Sequence, residues 1–372
     1  MRIKRVHLTN FRNHADSSLE FTGGLNFITG ANAQGKTSIL EALSYVCLTR
    51  SFLQASDSSV PKLGGDNFSI EAAIETDKNV SNKARVTYET GTGKKYFLDS
   101  NEVRKSSDVI GLFPIVVLAP RDFALTGGAP SERRVFVDIV LSQVSRSYLE
   151  ELTEYRRALK QRNKIILDGK LNNLLDGDLL SAWTSALIAH GTKVVARRIS
   201  FVEEFSDIFS AAYGSLVETG ETPRLRYEPS FTLEADVETS FRKALDGLSK
   251  IERVRGSTLA GPHRDDIGFF LNDMPIKEFA SQGQHKTFLV ALKVAEFHYI
   301  KHKLGETPAM LLDDVMTELD FTRATKAIGA VSSLGQAFIT ATDMLSFDEK
   351  MVDMQDVKFH SVKDGCVVYE HA

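Results

Sequence analysis

Gly30-Ala-Asn-Ala-Gln-Gly35-Lys36-Thr37 is the stretch on which the fold of this chain turns. Leu25-Asn-Phe-Ile28, just before it, has the length and apolar character of a short buried strand. Ser38-Ile-Leu-Glu-Ala-Leu-Ser-Tyr-Val, just after it, continues with helical spacing. The pattern GxxxxGK[ST] therefore stands in its required setting of strand, glycine-rich loop and helix. Gly30 and Gly35 permit backbone angles that turn the N–H groups of Ala31, Asn32, Ala33 and Gln34 towards one anion. The helix that opens at Ser38 adds the positive end of its dipole. Lys36 is expected to reach the β- and γ-phosphates of ATP, and Thr37 to offer its hydroxyl to Mg²⁺.

A phosphate loop needs an acid opposite it. Ala309-Met-Leu-Leu312 is apolar enough for a buried strand and ends in Asp313-Asp314. Ligands of a parallel sheet bind at the carboxyl ends of its strands. Successive side chains point to opposite faces, so the two acids cannot share one role. Asp313 is expected to hold the Mg²⁺ and Asp314 to polarise the attacking water.

Ser281-Gln282-Gly283-Gln284-His285-Lys286 precedes a strongly apolar helix carrying Phe288, Leu289, Leu292 and Val294. Ser281 and Gly283 suit a helix N-terminus, whereas His285 and Lys286 do not. Cations beside the positive end of a helix cost stability. An anion docking there resolves that conflict.

Around these motifs the chain is ordinary for a soluble globular protein. It has 372 residues, 42% hydrophobic and 25% charged, with a formal net charge of −4. Its pI of about 6.2 argues against nucleic-acid binding by bulk charge, so any such binding comes from a local patch. Cys47 and Cys366 form no CxxC pair, which excludes a zinc knuckle; both are expected as buried fillers in a reduced compartment. No apolar run approaches the roughly 20 residues that span a bilayer, so a cytoplasmic location without membrane partners is expected.

Both ends of the chain have an α/β pattern and the middle is helical. Strands are expected over 2–9, 68–75, 82–89, 94–98, 113–119, 222–228, 267–271, 308–313, 337–341 and 365–370. Helices are expected from Ser131, over 148–167, over 178–215 (one or two), over 285–303 and over 321–333. This places a discontinuous α/β domain at 1–130 and 255–372, interrupted by a helical insert at 131–254.

Gly30–Thr37, Ser281–Gln284, Asp313–Asp314 and Thr317-Glu-Leu-Asp320 occur in that order. The set resembles the Walker A, signature, Walker B and D-loop motifs of ABC-type ATPase heads. Eight stretches spread along the chain are, more narrowly, similar to the RecF family of bacterial recombination proteins. They are Leu8-Thr-Asn-Phe-Arg-Asn13, Thr49-Arg-Ser-Phe52, Leu118-Ala-Pro120, Ser131-Glu-Arg-Arg134, Leu159-Lys-Gln-Arg-Asn163, Gly261-Pro-His-Arg-Asp-Asp266, Ser281–Gln284 and Leu312-Asp-Asp. The chain departs from the family pattern at Arg121 and at His285-Lys286. It also has no histidine at the strand end 338–343 and no clear Gln-loop glutamine.

The resemblance implies a parallel-sheet core with an antiparallel β subdomain and a helical insert. It further implies a head-to-head homodimer formed on ATP. Arg12 and Asn13 would contact the cofactor in one subunit, and Ser281, Gln282, Gly283 and Gln284 would reach it from the other. The implied function is an ATP-gated DNA clamp at gaps and single-strand/duplex junctions. It would have weak DNA-stimulated ATPase activity and RecR- and RecO-type partners. The expected DNA surface is the basic stretch Arg156, Arg157, Lys160, Arg162 and Lys164, which no acid interrupts; Lys193, Arg197 and Arg198 form a smaller cluster. Arg157, Lys160 and Lys164 share one helical face.

Three other readings compete. A chromosome-structural head of SMC/Rad50 type needs a long coiled coil, and the insert lacks sustained heptads. A transporter ATPase subunit would carry the switch histidine. An ATP-binding switch that barely hydrolyses differs only in rate, and Asp314 stands where many relatives have the longer Glu.

Overall fold

The structure, a computed structural model, describes residues 1–172, 175–217, 220–234, 236–314, 329, 331–342 and 356–368. Two compact units emerge. The first comprises Met1–Phe123, Ser215–Glu218 and Gln282–Ala372; the second comprises Ala124–Gly214 and Thr219–Ser281.

The first unit holds two sheets. One is antiparallel and contains β1 (Arg2–Phe11), β2 (His14–Glu20), β4 (Asn67–Glu75), β5 (Ser81–Glu89), β6 (Gly93–Leu98) and β7 (Asn101–Val103), in the order β2-β1-β4-β5-β6-β7. The other contains β3 (Leu25–Thr29), β8 (Ile115–Leu118), β12 (Ala309–Leu312), β13 (Ala337–Ala341), β14 (Val357–Lys363) and β15 (Cys366–Val368). Its order is β15-β14-β3-β13-β12-β8, with every pair parallel except β14–β15. The strands β3, β12 and β13 are buried throughout, which explains why their sequences are mostly apolar, with Asn26, Thr29 and Thr340 as the buried polar exceptions. Strands β1 and β4 alternate because one face is wet.

Helix α1 (Lys36–Leu48) packs against β1, β4 and β5 of one sheet and β8 and β13 of the other. Its Leu43, Tyr45 and Val46 join Val6, Leu8, Ile70, Val86 and Phe338 in one core cluster. Helix α8 (Gln282–Leu304) is buried on nearly every side from Phe288 to Ile300, a stretch that is mostly apolar. Its one deeply buried cation, Lys293, lies 3.0 Å from Glu296 and 3.8 Å from Asp122, in the turn that follows β8. Burial pushes the Glu296 carboxyl up to about 7.

The second unit contains α2 (Ala124–Gly127), α3 (Pro130–Val144), α4 (Arg146–Asn172), most of α5 (Gly177–Leu216), α6 (Val237–Arg255) and α7 (Ile276–Phe279). A small antiparallel sheet joins them, formed by β9 (Pro223–Glu228), β10 (Asp266–Leu271) and β11 (Met274–Pro275) in the order β11-β10-β9.

Several expectations need correction. The insert closes at Ser281 and not at 255. The reason is strand pairing: β9, the strand returning from the helices, takes β10 as its partner from Asp266↔Glu228 to Leu271↔Pro223, and so draws the 267–271 strand into the insert. The 178–215 segment, expected as one helix or two, is one helix of 40 residues, within that expectation. Helix α6 is an addition to the expected elements, although Asp236 caps it by accepting from Thr239 N and Gly256 ends it in the left-handed region. Strands β2 and β14 are additions too. Cys47 is buried, but Cys366 is exposed, because β15 is a short edge strand whose alternate residues face solvent. Thr317–Asp320, Asp343, residues 369–370 and most of the expected 321–333 helix lie outside the described residues.

Candidate nucleotide site

The phosphate loop leaves the carboxyl end of β3, between β14 and β13, and runs into α1. Gly30 (φ 147°) and Gly35 (φ 113°) adopt angles that favour glycine. Space enforces the choice as well. A Cβ on Gly30 would stand 2.3 Å from the Val362 carbonyl oxygen, and one on Gly35 would stand 2.6 Å from Asn13 Oδ1.

Two turns brace the loop from outside. In the β1–β2 turn, Asn13 Nδ2 donates to the Gln34 carbonyl (2.7 Å), and His14 Nε2 lies 3.1 Å from the Gly35 carbonyl. The His14 ring is held by Ser17 Oγ (3.0 Å), and burial lowers its pKa. Ser38 Oγ donates to Asn13 Oδ1 (3.4 Å). In the β14–β15 turn, Gly365 N donates to the Gln34 carbonyl (3.1 Å). Arg12 is tied elsewhere: its guanidinium grips the buried Glu41 of α1 at 2.7 and 2.6 Å and donates to the Ser59 carbonyl (3.0 Å). This bidentate pair holds the turn against α1, so the structure gives Arg12 a bracing position.

Lys36 folds back over the loop, its Nζ donating to the carbonyls of Gly30 (2.6 Å) and Ala31 (2.9 Å). Burial pushes the ammonium pKa down, opposed by the charges of Asp314 and Asp313. Thr37 Oγ1 donates to Asp313 Oδ1 at 2.8 Å. The sequence pairing of Thr37 with Asp313 is thus an observed contact. Asp313 follows β12 and is 4% exposed; burial raises its pKa, and hydrogen bonds from Thr37 and Thr340 pull the other way. Asp314 departs from the strand at φ 49°, its N–H donating to Thr340 Oγ1 (2.8 Å).

Hydroxyl and carboxylate oxygens side by side suit a hard cation such as Mg²⁺. Among the described residues no group of three His, Cys, Asp or Glu is placed to hold a metal without further ligands.

Ser281 stands exposed just before α8, followed by exposed Gln282 and half-buried Gly283, Gln284, His285 and Lys286. Thr287 Oγ1 donates to the Gly283 carbonyl (3.0 Å). The first turn of α8 contains no acid, while Lys301, His302 and Lys303 lie in its last turn, where cations are favourable.

Of the expected DNA-contacting residues on α4, Arg157, Lys160 and Lys164 are exposed. Arg156 is 57% exposed and bonded to Asp138 at 2.9 Å. Arg162 requires correction. It is 4% exposed and bonded to Glu252 (2.7 Å), Thr258 (2.7 Å) and Thr184 (3.0 Å). Removing one partner of such a buried pair costs about 3–5 kcal/mol, so its charge is not available to a phosphate. Arg198, buried against Asp138 at 2.8 Å, is excluded for the same reason.

The sequence did not point to His14, Thr340 or Gly365. All three act through hydrogen bonds to residues remote in sequence, and no spacing rule predicts such contacts.

A family model described as an AAA domain matches residues 5–175. The DNA replication and repair protein RecF of Chloroherpeton thalassium is 40% identical over 94% of this chain and 97% of its own length. The protein of the same description from Salinibacter ruber is 37% identical over 92% of this chain and 85% of its own. Among solved structures, the recombination mediator protein RecF with ATP superposes with a TM-score of 0.88 at 26% identity, covering 99% of this chain and 97% of that one. An SMC head bound to the C-winged helix domain of ScpA, at TM-score 0.52 and 13% identity, shares the fold alone; the match covers 99% of this chain and 96% of that one.

Proposed function

This chain belongs to the RecF family of DNA replication and repair proteins, and from that membership we propose that it works as an ATP-gated clamp on DNA in recombinational repair. The observation that carries the reading is the contact between Thr37 and Asp313 beside the braced phosphate loop. It joins the two halves of a nucleotide site that lie far apart in sequence.

In this mechanism Lys36 exchanges its two loop carbonyls for the β- and γ-phosphate oxygens, and the loop N–H groups surround the phosphates. Thr37 and Asp313 would hold a Mg²⁺, which would supply positive charge against the phosphates of the nucleotide. Asp314 orients water for in-line attack on the γ-phosphate. Ser281 and the N-terminus of α8 from a second copy supply donors to the same phosphate. The anion thereby relieves the cation Lys286, while burial lowers the pKa of the His285 imidazole beside it. Two such contacts close a symmetric dimer, and hydrolysis removes the charge that holds it.

The family further suggests gapped or single-strand/duplex junctions as targets, RecR- and RecO-type proteins as partners and recombinase loading as the outcome. Among the described residues no helix is long and apolar enough to cross a membrane.

Light scattering tests the clamp directly. A mass near 41.2 kDa without ATP is expected to double with ATP, and to rise further by the mass of the DNA when a gapped duplex is added. A mass unchanged by ATP overturns the reading. The DNA surface has its own test. Reversing Arg157, Lys160 and Lys164 to Glu is expected to weaken DNA binding. The slope of log affinity against log salt should become shallower by about 1 for each DNA phosphate that the three cations neutralise in the parent. An unchanged slope returns that face of α4 to simple solvation.

A further inference from the structure

Thr340 lies near the carboxyl end of β13, the strand inserted between the phosphate-loop strand β3 and the acid-bearing strand β12. Its register partner on β3 is Ile28, two residues before Gly30, and its neighbour Ile339 pairs with Leu312 on β12. The side chain is completely buried. Its one hydroxyl serves both acids, donating its proton to Asp313 Oδ1 (2.9 Å) and accepting the Asp314 N–H (2.8 Å).

Asp314 N–H points to this hydroxyl from a left-handed backbone (φ 49°), a conformation costly for a residue with a Cβ unless its surroundings hold it. Asp313 Oδ1 receives two hydroxyls, from Thr37 and Thr340. Thr37 is also the hydroxyl assigned to the metal, to which its oxygen would offer a lone pair while its proton stays on Asp313. Thr340 has no such second task, so its bond to the carboxylate does not depend on the ion.

We infer that Thr340 is a positioning residue of the nucleotide site, orienting the carboxylate of Asp313 towards Mg²⁺ and fixing the backbone from which Asp314 acts. The inference deepens the proposed function and rests on its assignment of Thr37 and Asp313 to the metal. Groups that hold metal ligands in place typically change metal affinity or activity about 10–100-fold when removed.

The test uses equilibrium binding of ATP by the full chain, with and without Mg²⁺, and so needs no turnover. Thr340→Val keeps the volume and removes the hydroxyl; Thr340→Ser keeps the hydroxyl. In the valine variant the metal-free affinity for ATP is expected to stay within about threefold of the parent, while the Mg²⁺ concentration for half-maximal tightening rises about tenfold or more. Serine is expected to restore the parental Mg²⁺ dependence. If the valine chain does not fold, Thr340→Ala is read against serine in the same way. Equal Mg²⁺ dependence in the valine variant and the parent overturns the inference. So does a serine variant as impaired as valine, which would show that only packing matters. An unmodified chain whose ATP affinity ignores Mg²⁺ instead overturns the metal assignment itself, and the two failures are distinct.

Discussion

Lys36→Ala is expected to abolish measurable nucleotide binding while leaving the fold intact. Lys36 is 7% exposed and its ammonium is partly desolvated, so part of the cost of bringing it next to a phosphate is met before ligand arrives. In the free protein it rests on the Gly30 and Ala31 carbonyls at 2.6 and 2.9 Å, which hold it over the anion position. Truncating one partner of a buried charge-assisted pair costs about 2–5 kcal/mol, or roughly 30- to 4,000-fold in affinity. Calorimetric titration with ATP measures the loss, and circular dichroism checks the fold. Affinity within a few fold of the parent would refute the phosphate-loop assignment.

Ser281→Arg is expected to have an equally large effect on assembly and almost none on ATP affinity. Ser281 is exposed and precedes α8, whose first turn contains no acid and is followed by the cation Lys286. A further cation, with a much longer side chain, adds repulsion at the positive helix end and fills the space that the proposed trans contact needs. Sedimentation velocity with saturating ATP should show monomer only, at concentrations where the parent is dimeric. Normal ATP-dependent dimers in the variant would remove Ser281 from the trans site.

The two variants separate the halves of the mechanism. Lys36 acts within one chain, through a loop whose geometry is complete in that chain. Ser281 acts, as proposed, on a neighbour's phosphate, so its substitution leaves the variant's own loop untouched. A chain that binds ATP without pairing and a chain that neither binds nor pairs are therefore expected to have different defects.

The strand–loop–helix around Gly30–Thr37 was legible because each part of it is local. Contiguous residues set the apolar run of β3, the two glycines and the start of α1. The strand ending at Asp313 was legible for the same reason, and so was its companion, Thr37. Helix α6 is also locally encoded, by Asp236 at one end and Gly256 at the other, and these signals are visible in the sequence once sought. Other features left no local trace. Arg162, Arg198 and Lys293 look like solvated cations in sequence, and each is buried because a carboxylate meets it in the folded chain, at 2.7, 2.8 and 3.0–3.8 Å respectively. The close of the insert depended on which strand β9 would choose, and a strand's sequence specifies its exposed and buried faces far better than its partner.

The amino-acid order by itself determined an α/β head, a triphosphate cradle and the succession of motifs around it, since backbone angles and side-chain periodicity are properties of neighbouring residues. Only the folded molecule decided that His14 and Gly365 clasp the cradle, that Thr340 steers both aspartates and that Arg162 lies hidden from any phosphate. Those outcomes depend on hydrogen bonds and charge pairs of about 3 Å between groups far apart along the chain, and such distances exist only after the core has closed.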